Sequence, residues 1–286
     1  MIFLKKIYQQ FLSIVPIVIG IVICIVTTSS SLAQTPKKIK ELSFGKIENV
    51  SVDRLGNLFL IFENTNIKKY DANMKLLAEM HSGKNPTLME PWFHPKIFSY
   101  FHSTQQVVFY DHNLRVTEAH AIEPSVAISP LLVCPTNDNN LLVLDEADWS
   151  IKKVNEDGST VSFEFILDTA GISKPMFTHM QEYQSLIFLL DKNSGIYVFN
   201  ALGKQVNHIQ CKVKNFGFFG EELFYLSDNK VKLFDLFTEK TREVKIQPCK
   251  FVIVTDERIF LVKENNKLVV YEFISEKMDD DKPQEK

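Results

Sequence analysis

Neither sign of charge dominates this sequence: 32 Lys and Arg stand against 35 Asp and Glu, a formal net charge of −3. A surface built to neutralise a phosphate backbone needs a strong positive excess, so nucleic acid is not an expected partner. Cysteine is scarce, and only Cys134, Cys211 and Cys249 lie beyond the N-terminal apolar segment. An odd count permits at most one internal disulfide, which rules out a scaffold stapled by bridges. Each of these thiols has apolar neighbours, as in Leu131-Leu132-Val133-Cys134, where cysteine packs like a small hydrophobe. Chemical motifs are missing too. The histidines, at positions 81, 94, 102, 112, 120, 179 and 208, show neither H-x-H nor H-E-x-x-H spacing, and no thiolate pair joins them. There is no Gly-x-Ser-x-Gly elbow and no glycine loop for phosphate. Patterns for amphipathic helices are hard to find.

What the chain does have is apolar and aromatic mass. Hydrophobic residues make up 45% of it, which excludes disorder for most of the length, and 286 residues suit one large domain or two small ones. The 23 Phe and 8 Tyr are types that pack well on pleated sheets, so composition leans towards all-β.

The N-terminus reads as an export signal. Lys5 and Lys6 precede an uncharged apolar run at residues 14–26, the polar stretch Thr27-Thr28-Ser29-Ser30 follows, and Ser31-Leu32-Ala33 offers small residues for cleavage before Gln34. The alternative is an uncleaved anchor, since residues 11–26 fall only slightly short of a membrane span. Pro16 and Gly20 weaken that alternative, and Cys24 lacks the context for lipid attachment. The expected location is therefore outside the cytoplasm, in a Gram-negative periplasm or at the cell surface. Membrane association is expected only if the segment is retained.

An internal repeat organises the rest. A segment reading apolar, any, any, apolar or aromatic, then Asp, Asn or Glu occurs as Ile67-Lys68-Lys69-Tyr70-Asp71, Val107-Val108-Phe109-Tyr110-Asp111 and Ile151-Lys152-Lys153-Val154-Asn155. It recurs as Ile196-Tyr197-Val198-Phe199-Asn200, Val231-Lys232-Leu233-Phe234-Asp235 and Leu268-Val269-Val270-Tyr271-Glu272. The fourth residues of the copies are 40, 44, 45, 35 and 37 apart. Such a period marks the blades of a propeller. An apolar strand precedes each copy, at 58–62, 97–101, 141–144, 186–190, 223–226 and 259–262, and a short polar turn joins the two into a hairpin. Near-continuous apolar strands such as Leu186-Ile187-Phe188-Leu189-Leu190 suit sheets covered on both faces. A pair of β-sandwiches would not predict one signature repeated along the whole chain. The reading is all-β: a six-bladed β-propeller of four-stranded antiparallel blades over residues 34–277, after a signal peptide at 1–33 and before a disordered acidic tail at 278–286. The last repeat runs into charged residues and lacks an outer strand, so residues 39–44 are expected to supply it and close the ring.

The first repeat, Val50-Ser51-Val52-Asp53-Arg54-Leu55-Gly56-Asn57-Leu58-Phe59-Leu60, resembles an NHL-type propeller repeat, with Gly56-Asn57 where such repeats turn between strands. The resemblance covers roughly residues 37–275 and is reduced to a strand-turn-strand rhythm in the later copies. It implies a fold shared by binding scaffolds, protein-interaction modules, lyases and calcium-dependent lactonases, and so does not choose a function. The lactonase-like branch carries a Glu-Gly-Pro type of motif in its first inner strand. The equivalent stretch here, Gly45-Lys46-Ile47-Glu48-Asn49-Val50, does not match it. Glu48 and Asn49 remain candidates to face the channel, as do Trp92, His94 and His179, which fall in or near predicted innermost strands. The run Asp145-Glu146-Ala147-Asp148-Trp149 occupies a hairpin turn and is expected to solvate it. No catalytic residue, metal site or cofactor is assigned. The expected function is a monomeric, non-enzymatic binding or protein-interaction scaffold for an unidentified protein or small ligand, recognised through loops. The alternative is a metal-dependent hydrolase, lactonase or lyase with calcium in the channel.

Overall fold

The computed structural model describes residues 37–91, 96–168 and 174–272. Every regular element among them is a strand, apart from one 3-10 turn at His102–Thr104. The strands form six four-stranded antiparallel sheets, and these are the blades of a β-propeller. The first blade runs outward as β2 (Ile47–Val52), β3 (Leu58–Phe62), β4 (Asn66–Tyr70) and β5 (Leu76–His81). The second is β6 (Leu88–Glu90), β7 (Ile97–Phe101), β8 (Gln106–Tyr110) and β9 (Val116–Ala121), and the third is β10 (Pro130–Pro135), β11 (Asn140–Asp145), β12 (Ser150–Asn155) and β13 (Val161–Ile166). The fourth is β14 (Phe177–Tyr183), β15 (Leu186–Asp191), β16 (Gly195–Asn200) and β17 (Gln205–Ile209), and the fifth is β18 (Phe216–Phe219), β19 (Glu222–Ser227), β20 (Lys230–Asp235) and β21 (Thr241–Lys245). The sixth blade joins the two ends of the ring. β22 (Phe251–Val254), β23 (Arg258–Val262) and β24 (Lys267–Glu272) are followed in space by β1 (Lys37–Ser43), which pairs antiparallel with β24 from Lys37↔Glu272 to Ser43↔Lys267. Residues 39–44 were expected there, and all but Phe44 of that segment lie in β1.

The repeat signature has a local cause. In five blades its Asp or Asn ends the third strand or follows it directly, and its side-chain oxygen accepts the backbone N–H groups of the turn to the outer strand. Asp71 takes Asn73 and Lys75 at 2.9 and 2.8 Å, and Asp111 takes Asn113 and Arg115 at 2.8 and 2.9 Å. Asn155, Asn200 and Asp235 do the same for their own turns. Short Asp and Asn side chains reach these donors and tolerate the turn. In the sixth blade the position is Glu272, and the outer strand is β1.

Burial follows radius. The second strands are mostly buried, and wholly so in β3 and β7, whereas the outer strands β5 and β9 alternate exposed and half-buried residues. Apolar clusters fill the gaps between blades: Leu60, Phe62 and Tyr70 of the first pack with Phe251, Phe260 and Leu268 of the sixth, and Phe188 and Val198 of the fourth pack with Phe216 and Leu223 of the fifth. A blade alone would expose both faces, so the clusters form only when the ring assembles.

Two aspartates fix the entry of the chain into blades three and four. Asp145, entirely buried, accepts backbone N–H groups of Ile128, Ser129 and Ala147 at 2.8, 2.9 and 3.1 Å and the Lys152 ammonium at 2.9 Å. Asp191 accepts from Met176, Asn193 and Ser194 in the same way. The acidic turn at 145–149 therefore does more than solvate itself, because its first residue is turned inward and ties the incoming linker to the hairpin. Burial alone would raise the Asp145 pKa, but the Lys152 and backbone donors hold it below the usual carboxylate range. Gly195 opens β16 at φ +115°, where a β-carbon would lie 2.2 Å from the Ile209 carbonyl oxygen.

Candidate functional site

The channel along the ring axis encloses a cavity of about 260 Å³, lined by blades one, two, four, five and six. Two kinds of wall meet in it. One is polar, with Glu48, Asn49 and Ser51 on β2, Glu90 on β6, and His179 and Gln181 on β14. The other is aromatic, with Phe216 and Phe218 on β18 and Phe251 on β22. Alternation along a strand explains how one segment serves both ring and channel. On β14, His179 and Gln181 share the channel face, whereas Met180, between them, is fully buried in a core cluster.

The expected channel residues Glu48, Asn49 and His179 all line this cavity. Trp92 and His94 lie outside the described residues. Glu48 is an ion-pair partner of Lys46 at 2.9 Å; the hydrogen bond from that ammonium lowers its pKa, and Lys250 adds to the effect. Asn49 turns its Oδ1 onto the Val50 N–H at 2.8 Å.

Three residues that sequence reasoning did not single out complete the polar wall. Glu90 and Gln181 meet across the channel, with Gln181 Nε2 donating to Glu90 Oε2 at 2.7 Å from 91 positions away. Gln181 also hydrogen-bonds His179. His179 Nε2 is buried without a hydrogen-bond partner, and so is Ser51 Oγ. The imidazole is packed edge-on against Phe216 with ring centroids 4.8 Å apart. Burial pushes its pKa down to about 4, with the Gln181 bond opposing part of the shift. His179 is thus neutral at physiological pH. Among the described residues it is the only histidine in the cavity wall.

Lys214 and Tyr183 also line the cavity, whereas the cysteines and His208 lie apart from it. Cys134 is fully buried and its thiol is pushed well up by burial, with Glu182 and Glu90 nearby adding to it; Cys211 and Cys249 are free thiols pushed up to about 11 and about 12 by the same cause. His208 is stacked flat on Tyr197 at 4.1 Å and bonded to the Ser194 carbonyl. A second cavity of about 200 Å³ lies between blades three and four, with Phe163 and Phe165 in its wall and the Lys153–Asp138 ion pair, 2.6 Å, at its rim. Among the described residues, no three His, Cys, Asp or Glu side chains converge to hold a metal ion. None of the helical structure among them is long and apolar enough to cross a membrane.

No protein-family model matches the chain, and no curated protein matches it. Solved structures do. The WD40 domain of Neurospora crassa Pan2 is similar with a TM-score of 0.56 at 8% identity, over 84% of this chain and 96% of that one. BBS1N in its complex with ARL6DN gives 0.56 at 10% identity, over 86% of this chain and 99% of that one. Virginiamycin B lyase from Staphylococcus aureus gives 0.52 at 11% identity, over 82% and 99%. At these identities the likeness is one of fold, and that fold is the β-propeller.

Proposed function

We propose that this chain is an exported β-propeller of NHL-repeat type that works by binding, as a non-enzymatic scaffold for a protein or small ligand, with its channel as a recognition site. The observation that carries the reading is how the polar wall is committed. Glu48 is paired with Lys46, Glu90 accepts from Gln181, and Gln181 in turn fixes His179. A general acid or base works best with a pKa near the operating pH, and an imidazole at about 4 is a weak base there. What this wall offers is fixed hydrogen-bonding groups beside an aromatic surface, the usual composition of a binding pocket. Export rests on the lysines, apolar run and small residues of positions 1–33.

The test is turnover by a chain beginning at Gln34, offered lactones and esters with and without calcium or zinc. No turnover is expected under any condition; turnover that disappears in Glu48→Ala would overturn the reading in favour of channel chemistry. Export is checked separately by the N-terminal residue of the protein recovered outside the cytoplasm. Gln34 is expected, and an intact Met1 would replace export in soluble form by a retained anchor.

A further inference from the structure

The third blade has an open edge. β13 ends its sheet, with β12 on one side and no strand on the other among the described residues. Leu167 N–H donates to the Trp149 carbonyl, and Phe165 stands opposite Ile151 in the same ladder. Backbone groups alternate sides along a strand, so those of Phe165 face β12 and those of Glu164 and Ile166 point off the edge. Lysine and arginine guard the edges of β1 and β21, but β13 has neither. It presents Phe163, 37% exposed, and Ile166, 73% exposed. We propose that this edge docks an extended, basic segment of a partner protein, which adds a fifth strand beside β13 and lodges an apolar side chain in the cavity between blades three and four. The site is separate from the channel and does not depend on it.

Phe163 and Phe165 share a face of β13 and line that cavity with Leu142, Ile151 and Ile187. Phe165 is pinned from blade four: its ring lies 5.9 Å from that of Phe199, and a β-carbon on Gly203 would come within 2.3 Å of it. Phe163, the more exposed of the two, is left to meet a partner. The volume, about 200 Å³, has room for one aliphatic side chain, since a dry cavity of about 150 Å³ takes up benzene. Charge selects the rest of the segment. Residues 130–168 hold eight carboxylates against Lys152 and Lys153, an excess of six negative charges in a chain whose total is −3. Lys152 is buried against Asp145 and lies 3.6 and 3.8 Å from Asp148 and Glu164, and Asp138 holds Lys153 at 2.6 Å. Lys96, paired with Glu156, and Lys204, after the turn that covers Phe165, approach from the neighbouring blades and offset two of the six. A basic strand therefore meets an attractive field, whereas a second copy pairing through β13 would bring two acidic blades together.

The probe is a capped peptide of about seven residues, lysine alternating with valine, matched to the length of β13 and titrated into the chain from Gln34 to Lys286 by fluorescence anisotropy. Saturable one-to-one binding is expected, weakening severalfold as salt rises from about 50 to about 500 mM. The same peptide with glutamate for lysine should not bind. Affinity should fall roughly tenfold in Phe163→Ser and in Glu164→Pro, and only about threefold in Glu164→Gln, which removes the charge and keeps the edge N–H. Proline at 164 breaks no bond to β12, so that variant should keep its fold by circular dichroism. The lysine peptide methylated at every backbone nitrogen should fail to bind the parent, a result that needs no variant. The proposal is overturned if the lysine peptide does not saturate, if the glutamate or methylated peptide binds equally well, or if Phe163→Ser and Glu164→Pro leave affinity unchanged. Self-association of the chain alone that Glu164→Pro abolishes would also overturn it, giving the edge to a second copy. None of these failures touches the channel reading, and turnover in the channel would leave this site standing.

Discussion

Removing β1 should loosen the whole ring, because the sixth blade has no other outer strand. The perturbation is deletion of residues 37–43 from a chain that otherwise begins at Gln34. Six residue pairs join β1 to β24, and at a net ~0.5 kcal/mol for each backbone bond the ladder contributes about 3 kcal/mol. Leu42 is half-buried against the cluster of Leu60, Phe260 and Leu268, and half of a full leucine burial adds about 1 kcal/mol. Phe44, which packs on Phe62 and Tyr70 with centroids 6.0 and 5.7 Å apart, loses the strand that leads into it. A loss of about 4 kcal/mol corresponds to a drop in melting temperature of roughly 8–16 °C for a domain of this size. The assay is thermal unfolding followed by near-ultraviolet circular dichroism, with deletion of residues 278–286, outside the described residues, as the control expected to change nothing. Equal melting temperatures for the parent and both deletions would refute the reasoning.

Three further outcomes are expected. Asp145→Ala leaves Lys152 buried without its closest carboxylate and three backbone N–H groups without an acceptor, and should cost roughly 3–5 kcal/mol by urea unfolding; a loss under about 1 kcal/mol would count against the inward-turned role of this aspartate. Gly195→Ala should destabilise by more than 2 kcal/mol or so, since its β-carbon meets the Ile209 carbonyl, whereas Gly56→Ala, at φ +76° with open space around it, should cost only about 1 kcal/mol; equal losses would show that backbone conformation alone decides. Acidification should weaken the parent between pH 6.5 and about 4, because the unfolded chain protonates its histidine there while folded His179 does not. Up to about 3 kcal/mol is lost through this window, and His179→Phe should lack that component when the two unfolding curves are compared; parallel pH dependences would refute it.

The propeller was legible because its determinants are local. Each blade repeats a hairpin of apolar strands, and the Asp or Asn after the third strand is there to cap a turn within five residues of it, so both the period and its marker survive in the sequence. Even the exception was readable, since the charged run that begins at Glu276 signalled a missing outer strand. The channel was legible only in part. Glu48, Asn49 and His179 could be placed by counting strands inward from the repeat. The Glu90–Gln181–His179 chain could not, because its first two members are 91 positions apart and meet only when the ring closes. One faint signal existed, a carboxylate in the otherwise apolar Leu88-Met89-Glu90. Asp145 was hidden for a related reason: its backbone partners Ile128 and Ser129 approach from the preceding linker, and composition at the turn does not reveal which residue points inward.

The titration of His179 decides most directly whether the channel presents a fixed hydrogen-bonding wall or a working acid–base group. Nitrogen-15 spectra of the chain from Gln34, followed from pH 8 to pH 3.5 and assigned by His179→Phe, should show a neutral imidazole at neutral pH and a midpoint at about 4. A midpoint at or above the ordinary histidine value of about 6.5 would contradict it, and would make the channel a place for proton transfer instead of recognition.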